Sequence, residues 1–186
     1  MIEPWYIAVE PFDPRAEEKW TRYIEWSGLK QLTELVSFDG CLCPAVIREL
    51  MAEDWRHNVN EDYVLFFFRD LDYLLRRVAG IQRVNILAAI RNPDSECSDA
   101  LPDDRFEFKG YDVVDVCADV SALTDCGGFP LAFRNEELSS SGLISTLARA
   151  REIQAALRGN YPDEHHANCN VWALWKMKSP HGQSAD

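Results

Sequence analysis

The sequence predicts an α+β fold, a single domain over residues 1–178 with a mixed, mainly antiparallel sheet of about six or seven strands and about four helices packed on it. Three observations lead there. A chain of 186 residues, 47% of them hydrophobic, is long and apolar enough to bury one real core. Residues 62–91 read as strand, helix and strand joined tightly. Elsewhere strand-like runs follow one another without regular helices between them, which excludes a doubly wound array.

Taken in order, "WYIAVE" (5–10) is a short strand candidate. Asp13 before Pro14 predicts a helix start, because Asp caps free amides and Pro fits the first turn. That helix should run to Ser27 and stop at Gly28, burying Ala16, Trp20, Tyr23, Ile24 and Ser27 along one stripe. Residues 31–38, "QLTELVSF", suggest a strand, and Pro44 a second helix to about Trp55 that buries Val46, Ile47, Leu50 and Met51.

In the central unit, "YVLFFF" (63–68) is too short for a helix and too apolar for an exposed strand. The helix after it carries Leu71, Leu74, Leu75 and Val78 at i, i+3, i+4 and i+7, and "RVNILAAI" (83–90) returns as a strand. Such a crossover is right-handed and would make the two strands parallel. Residues 92–104 read as loop. "RFEFKGYDVVDV" (105–116) alternates as a strand with a bulge or turn at Gly110, while 111–120 is legible as strand or helix, with valine favouring strand. A helix should begin near Ser141 and end at Gly159, followed by a strand, "CNVWALWKM" (169–177). The final residues 179–186 have the composition of a disordered tail.

The formal charge of −12 disfavours binding to nucleic acid phosphates or an anionic membrane. No apolar run approaches the roughly 20 residues needed to span a bilayer, and the start lacks an export signal, so a cytoplasmic location is expected. In that compartment the six cysteines are expected to be free thiols. Between residues 92 and 126 ten acidic residues face two basic ones, a net of −8, which would steer a basic protein partner. Asp112, Asp115 and Asp119, together with Trp172 and Trp175 on the last strand, are the candidate binding residues. The expectation is a non-enzymatic interaction module, inhibitor or immunity-like, and most charge runs being solubility devices is the plainer alternative.

The stretch "TDCGGFP" (124–130) supports a different reading. Cys126 followed by two glycines has room for a substrate and backbone amides for an oxyanion; His165 or His166 would be the base, oriented by Asp125, Asp163 or Glu164. This describes a cysteine-dependent hydrolase or transferase. The glycines alone also explain a tight turn, with Cys126 as a small semi-buried residue. "DEHHANC" (163–169) and "CLC" (41–43) match no structural zinc spacing, so no metal or other cofactor is expected. Arginines between 63 and 91 lack the glycine-rich loop of a nucleotide site, and no stretch carries a family signature.

Overall fold

The computed structural model describes residues 3–12, 18–59, 66–97, 101, 103–115, 120–125 and 128–178. Within them the fold is α+β with one antiparallel sheet of four strands and three helices. The strands are β1 (Trp5–Val9), β2 (Asn85–Arg91), β3 (Phe106–Asp115) and β4 (Cys169–Met177), in the order β1-β2-β4-β3. Every neighbouring pair is antiparallel. The two central strands, "NILAAIR" and "CNVWALWKM", have the near-continuous apolar runs that burial on both faces requires.

The helices are α1 (Glu18–Ser27), α2 (Leu71–Arg77) and α3 (Leu147–Asn160). One sheet face meets α2 and α3 through Leu74, Ala150, Ile153 and Leu157, packed with Ala88, Val113, Ala173 and Trp175. The opposite face is covered by irregular chain, with Leu35, Val36 and Phe38 against Ile7, Leu87 and Trp172. Asp70 and Thr146 cap α2 and α3 by accepting bonds from the amides of Tyr73 and Arg149.

Several sequence expectations need correction. The described residues hold fewer strands and helices than predicted because segments with strand or helix character are used as single bridges around the sheet edges. Residues 60–65 lie outside the described residues, but Phe68 exchanges two backbone bonds with Tyr6 at 2.8 and 2.7 Å. Both Phe68 and β2 run antiparallel to β1, so β1 stands between the two halves of the crossover and they do not pair with each other.

Residues 44–46 form no helix: Ala45 bridges Val9, the Val46 amide donates to Ala8 and the Glu10 amide donates to Pro44, which covers the free edge of β1. The 31–38 segment is irregular; amides of Thr33 and Val36 donate to the carbonyls of Ser140 and Ser141. Those serines lie in a turn closed by the Gly142 amide donating to the Ser139 carbonyl, not in a helix, and Ile144 exchanges two bonds with Tyr111 on the β3 edge before α3 begins. Unpaired edge amides outcompete local helix propensity here, since a buried amide without a partner costs more than the propensity gained.

Other expectations match. Gly28 ends α1 at φ +74°, and β4 spans the predicted residues. Between Phe108 and Gly110 the β3 register shifts, and Gly110 lies at φ +137°, where an added Cβ would stand 2.7 Å from the Ile144 carbonyl oxygen. Residues 111–115 are strand, whereas 116–119, the Asp13–Pro14 helix start and the 179–186 tail lie outside the described residues. No helix among the described residues is long and apolar enough to cross a membrane.

Candidate functional site

β3 delivers Asp112 into the interior, where it is 1% exposed, opposite the loop that carries Ser37 and Asp39. The hydroxyls of Ser37 and Ser121 donate to its two carboxylate oxygens at 2.6 and 2.5 Å, and the Val113 amide donates at 2.8 Å. Asp39, equally buried, accepts from the amides of Cys41, Leu42 and Ser121, each at 2.9 Å. Burial pushes the Asp112 carboxyl up to about 6 against the pull of these bonds, and the neighbouring Asp39 charge adds to the rise. Asp39 is raised as well, first by burial and then by the Asp125 charge. This network binds the 37–43 loop, β3 and the 121–125 turn into one unit.

The turn is held from outside too. The Tyr23 hydroxyl donates to the Thr124 carbonyl at 2.5 Å, tying the middle of α1 to it. Next along the chain, Asp125 Oδ2 lies 3.7 Å from Nδ1 of His166, which belongs to a short 3-10 turn at His165–Asn168. His166 is 4% exposed, tilts against the Phe129 ring with centroids 5.0 Å apart, and its buried Nε2 has no hydrogen-bond partner among the described residues. His165 points the other way, into solvent.

Asp125 and Gly128 line a cleft of about 440 Å³ between the C-terminal end of α1 and residues 128–136. Leu29, Leu123, Phe129 and Phe133 form its apolar part, and Arg134 and Glu136 its polar rim. Trp26 stands at the edge with 63% of its surface exposed, and Leu131, beside the cleft residue Pro130, is 69% exposed. The walls are fastened together: Asn135 donates through Nδ2 to the Ser27 carbonyl at 2.8 Å, and Gln31 donates to the Asn135 carbonyl at 2.7 Å. Arg149 then clamps the outer wall to α3 through Glu137 and the Ala132 carbonyl.

The sequence-predicted residues are distributed unevenly around this site. Asp125 and His166, 41 positions apart, are brought together. Cys126 and Asp119 lie outside the described residues. Asp112, Asp115, Trp172 and Trp175 are at most 4% exposed, so they form no binding face; the two tryptophans do take opposite sides of β4, but each side is covered. Much of the predicted acidic run is also consumed internally. Asp103 pairs with Arg105, Glu107 with Lys109, and Glu96 accepts from the Tyr111 hydroxyl and the Leu147 amide. Among the described residues no group of three or more His, Cys, Asp and Glu side chains is arranged to hold a metal ion.

Trp26 was legible in the sequence and passed over. With Trp20, Tyr23, Ile24 and Ser27 on the buried stripe, position 26 falls on the outward side of α1, so periodicity alone places an aromatic ring in water. No known protein family, curated protein or solved structure matches the chain.

Proposed function

We propose that the protein is a non-enzymatic interaction module, inhibitor or immunity-like, that takes a basic protein partner at the Trp26 cleft. The supporting observation is a tryptophan held 63% exposed over an apolar, pre-fastened cleft. Tryptophan beside an apolar pocket is a common anchor of protein interfaces, and fixed walls reduce the ordering cost of binding. The net charge of −12 supplies the long-range attraction for a basic partner and discourages nucleic acid and anionic membranes.

The test is affinity capture with immobilised protein, comparing wild type with Trp26→Ala. Wild type should retain a basic protein at about 0.05 M salt and release it at about 0.5 M, where exposed charges are screened. Trp26→Ala should retain at least tenfold less while melting at the same temperature, because the ring is not part of the core. Retention that ignores both salt and the substitution would reject this reading.

A second reading is favoured by one specific feature, the buried His166 beside Asp125 with its Nε2 unpartnered. We infer a thiol-dependent hydrolase or transferase in which Cys126 gives its proton to His166 Nε2 and the thiolate attacks an acyl carbon. The leaving group then takes the proton from the imidazolium, and water or another acceptor, deprotonated by the same imidazole, releases the acyl group. Burial raises the Cys43, Cys97 and Cys169 thiols, the last to about 12, which keeps all three slow toward alkylation. Iodoacetamide at pH 6, resolved residue by residue, should mark Cys126 ahead of these three and ahead of the exposed Cys41, and His166→Gln should slow it at least tenfold. Cys126 reacting no faster than the exposed Cys41 would end the enzymatic reading.

A further inference from the structure

On the far side of α3 from the Trp26 cleft's outer wall, a separate cavity of about 450 Å³ is lined by Asn92, Arg151, Gln154, Arg158, Asn168 and Asn170, with Cys169 and Val171 at its base. Its chemistry is opposite to the protein's overall charge. Acidic residues outnumber basic ones 31 to 19, yet among the described residues no carboxylate lines this cavity and neither arginine forms an ion pair. Arg151 donates one hydrogen bond, to the Pro93 carbonyl at 2.6 Å, and the Arg158 guanidinium has no hydrogen-bond partner among the described residues. Arg151 feels the Glu96 carboxylate only through space, without an ion pair, so an oxyanion placed between the two guanidiniums would find donors not committed to a salt bridge.

The rest of the lining is built rather than incidental. Asn92, directly after β2, lies at φ +47°, a left-handed conformation unusual for a residue with a side chain. Three bonds to β4 hold it there: its amide donates to the Val171 carbonyl at 2.7 Å, its Oδ1 accepts from the Val171 amide at 3.1 Å, and its Nδ2 donates to Asn170 Oδ1 at 2.8 Å. Gln154 is oriented by donating to the Cys169 carbonyl at 2.7 Å. Arg151, Gln154 and Arg158 follow one another at i, i+3 and i+7, so α3 turns a single polar face toward this wall of fixed amides.

We propose that the cavity binds a small phosphorylated polyol of the sugar phosphate class. The phosphate lies between Arg151 and Arg158, and the hydroxyls meet the carboxamides of Asn92, Gln154, Asn168 and Asn170. The volume suits a small metabolite. Among the described residues no aromatic side chain lines the cavity to stack a nucleobase, which separates this ligand class from nucleotides.

Isothermal titration of the full chain with glucose 6-phosphate, glucose and inorganic phosphate tests the assignment. Glucose 6-phosphate should bind saturably at or below about 1 mM, inorganic phosphate at least tenfold more weakly, and glucose without detectable heat. Arg158→Gln, which removes no described hydrogen bond, should weaken glucose 6-phosphate at least tenfold with an unchanged melting temperature; Arg151→Gln should do the same with some loss of stability. Binding unaffected by Arg158→Gln, or absent up to about 10 mM, would overturn the site. Equal affinity for phosphate and glucose 6-phosphate would overturn the polyol half of the assignment, and tighter binding of AMP than of glucose 6-phosphate would overturn the ligand class.

Discussion

Trp172→Ala is expected to cost about 4 kcal/mol of folding stability, the upper range for loss of a buried aromatic. Trp172 is 1% exposed at the centre of an aromatic group on the sheet face opposite α2 and α3. Its ring stacks on Phe67 at 5.2 Å and 18°, and meets the edges of Phe38 at 4.9 Å and Trp5 at 5.9 Å. The cavity left by alanine cannot close easily, because Phe67 and Phe38 also pack on each other at 5.2 Å and are held by separate chain segments. Domains of this size are stable by about 5–15 kcal/mol, so the variant should sit near its unfolding midpoint under mild denaturant. Urea titration measures this directly: Trp172→Phe should lose less than half as much, and a loss below about 1.5 kcal/mol for alanine would mean the aromatic group repacks. The contrast with Trp26→Ala, expected within about 0.5 kcal/mol of wild type, separates a core tryptophan from an interface one.

The second large effect concerns Asp112 and its dependence on pH. Its folded-state pKa of about 6 lies above the ordinary carboxylate value, so the native state binds this proton more tightly than the unfolded chain does. The resulting stability is fully present below about pH 4 and is lost as pH rises through 6, a change of about 3 kcal/mol for a fully buried group. Asp39, raised by the same burial, acts in the same direction. Carboxylates such as Glu137 and Asp103, lowered by their arginine partners, act oppositely, and their contribution is lost only as the medium becomes more acidic than their depressed pKa values.

Melting temperature should therefore climb between pH 7.5 and pH 5, where most acidic proteins gain less, before falling in stronger acid. Asp112→Asn should be more stable than wild type at pH 7.5 and should lose most of that climb. Its carboxamide oxygen keeps accepting from Val113 and Ser121 and its nitrogen donates to Ser37, so only the Ser37 hydroxyl proton loses its acceptor. Asp112→Ala leaves two hydroxyls and one amide without their acceptor, and should be about 3 kcal/mol less stable than the asparagine variant at every pH. An identical pH profile in wild type and Asp112→Asn would place the proton elsewhere.

What the sequence determined by itself was whatever short-range physics decides. The α+β class, β4 from its apolar run, the α1 stop at Gly28 and the break at Gly110 all follow from periodicity and from backbone freedom at glycine. Even the outward Trp26 and the polar face of α3 were present in the helical spacing. Only the tertiary structure decided which apolar segments would become strands, since pairing depends on which edge amides lack partners once the sheet has formed. "QLTELVSF" and residues 44–46 resemble regular elements locally, yet each makes a single bridge, Leu35 with Phe12 and Ala45 with Val9. It also decided the fate of the carboxylates. Spacing cannot distinguish Asp112, buried among serine hydroxyls, from Asp104 in solvent, because desolvation is set by chain that returns from dozens of residues away. The meeting of Asp125 with His166, and of α3 with Asn92, is of the same kind: each is a long-range closure that the fold makes once its core is packed.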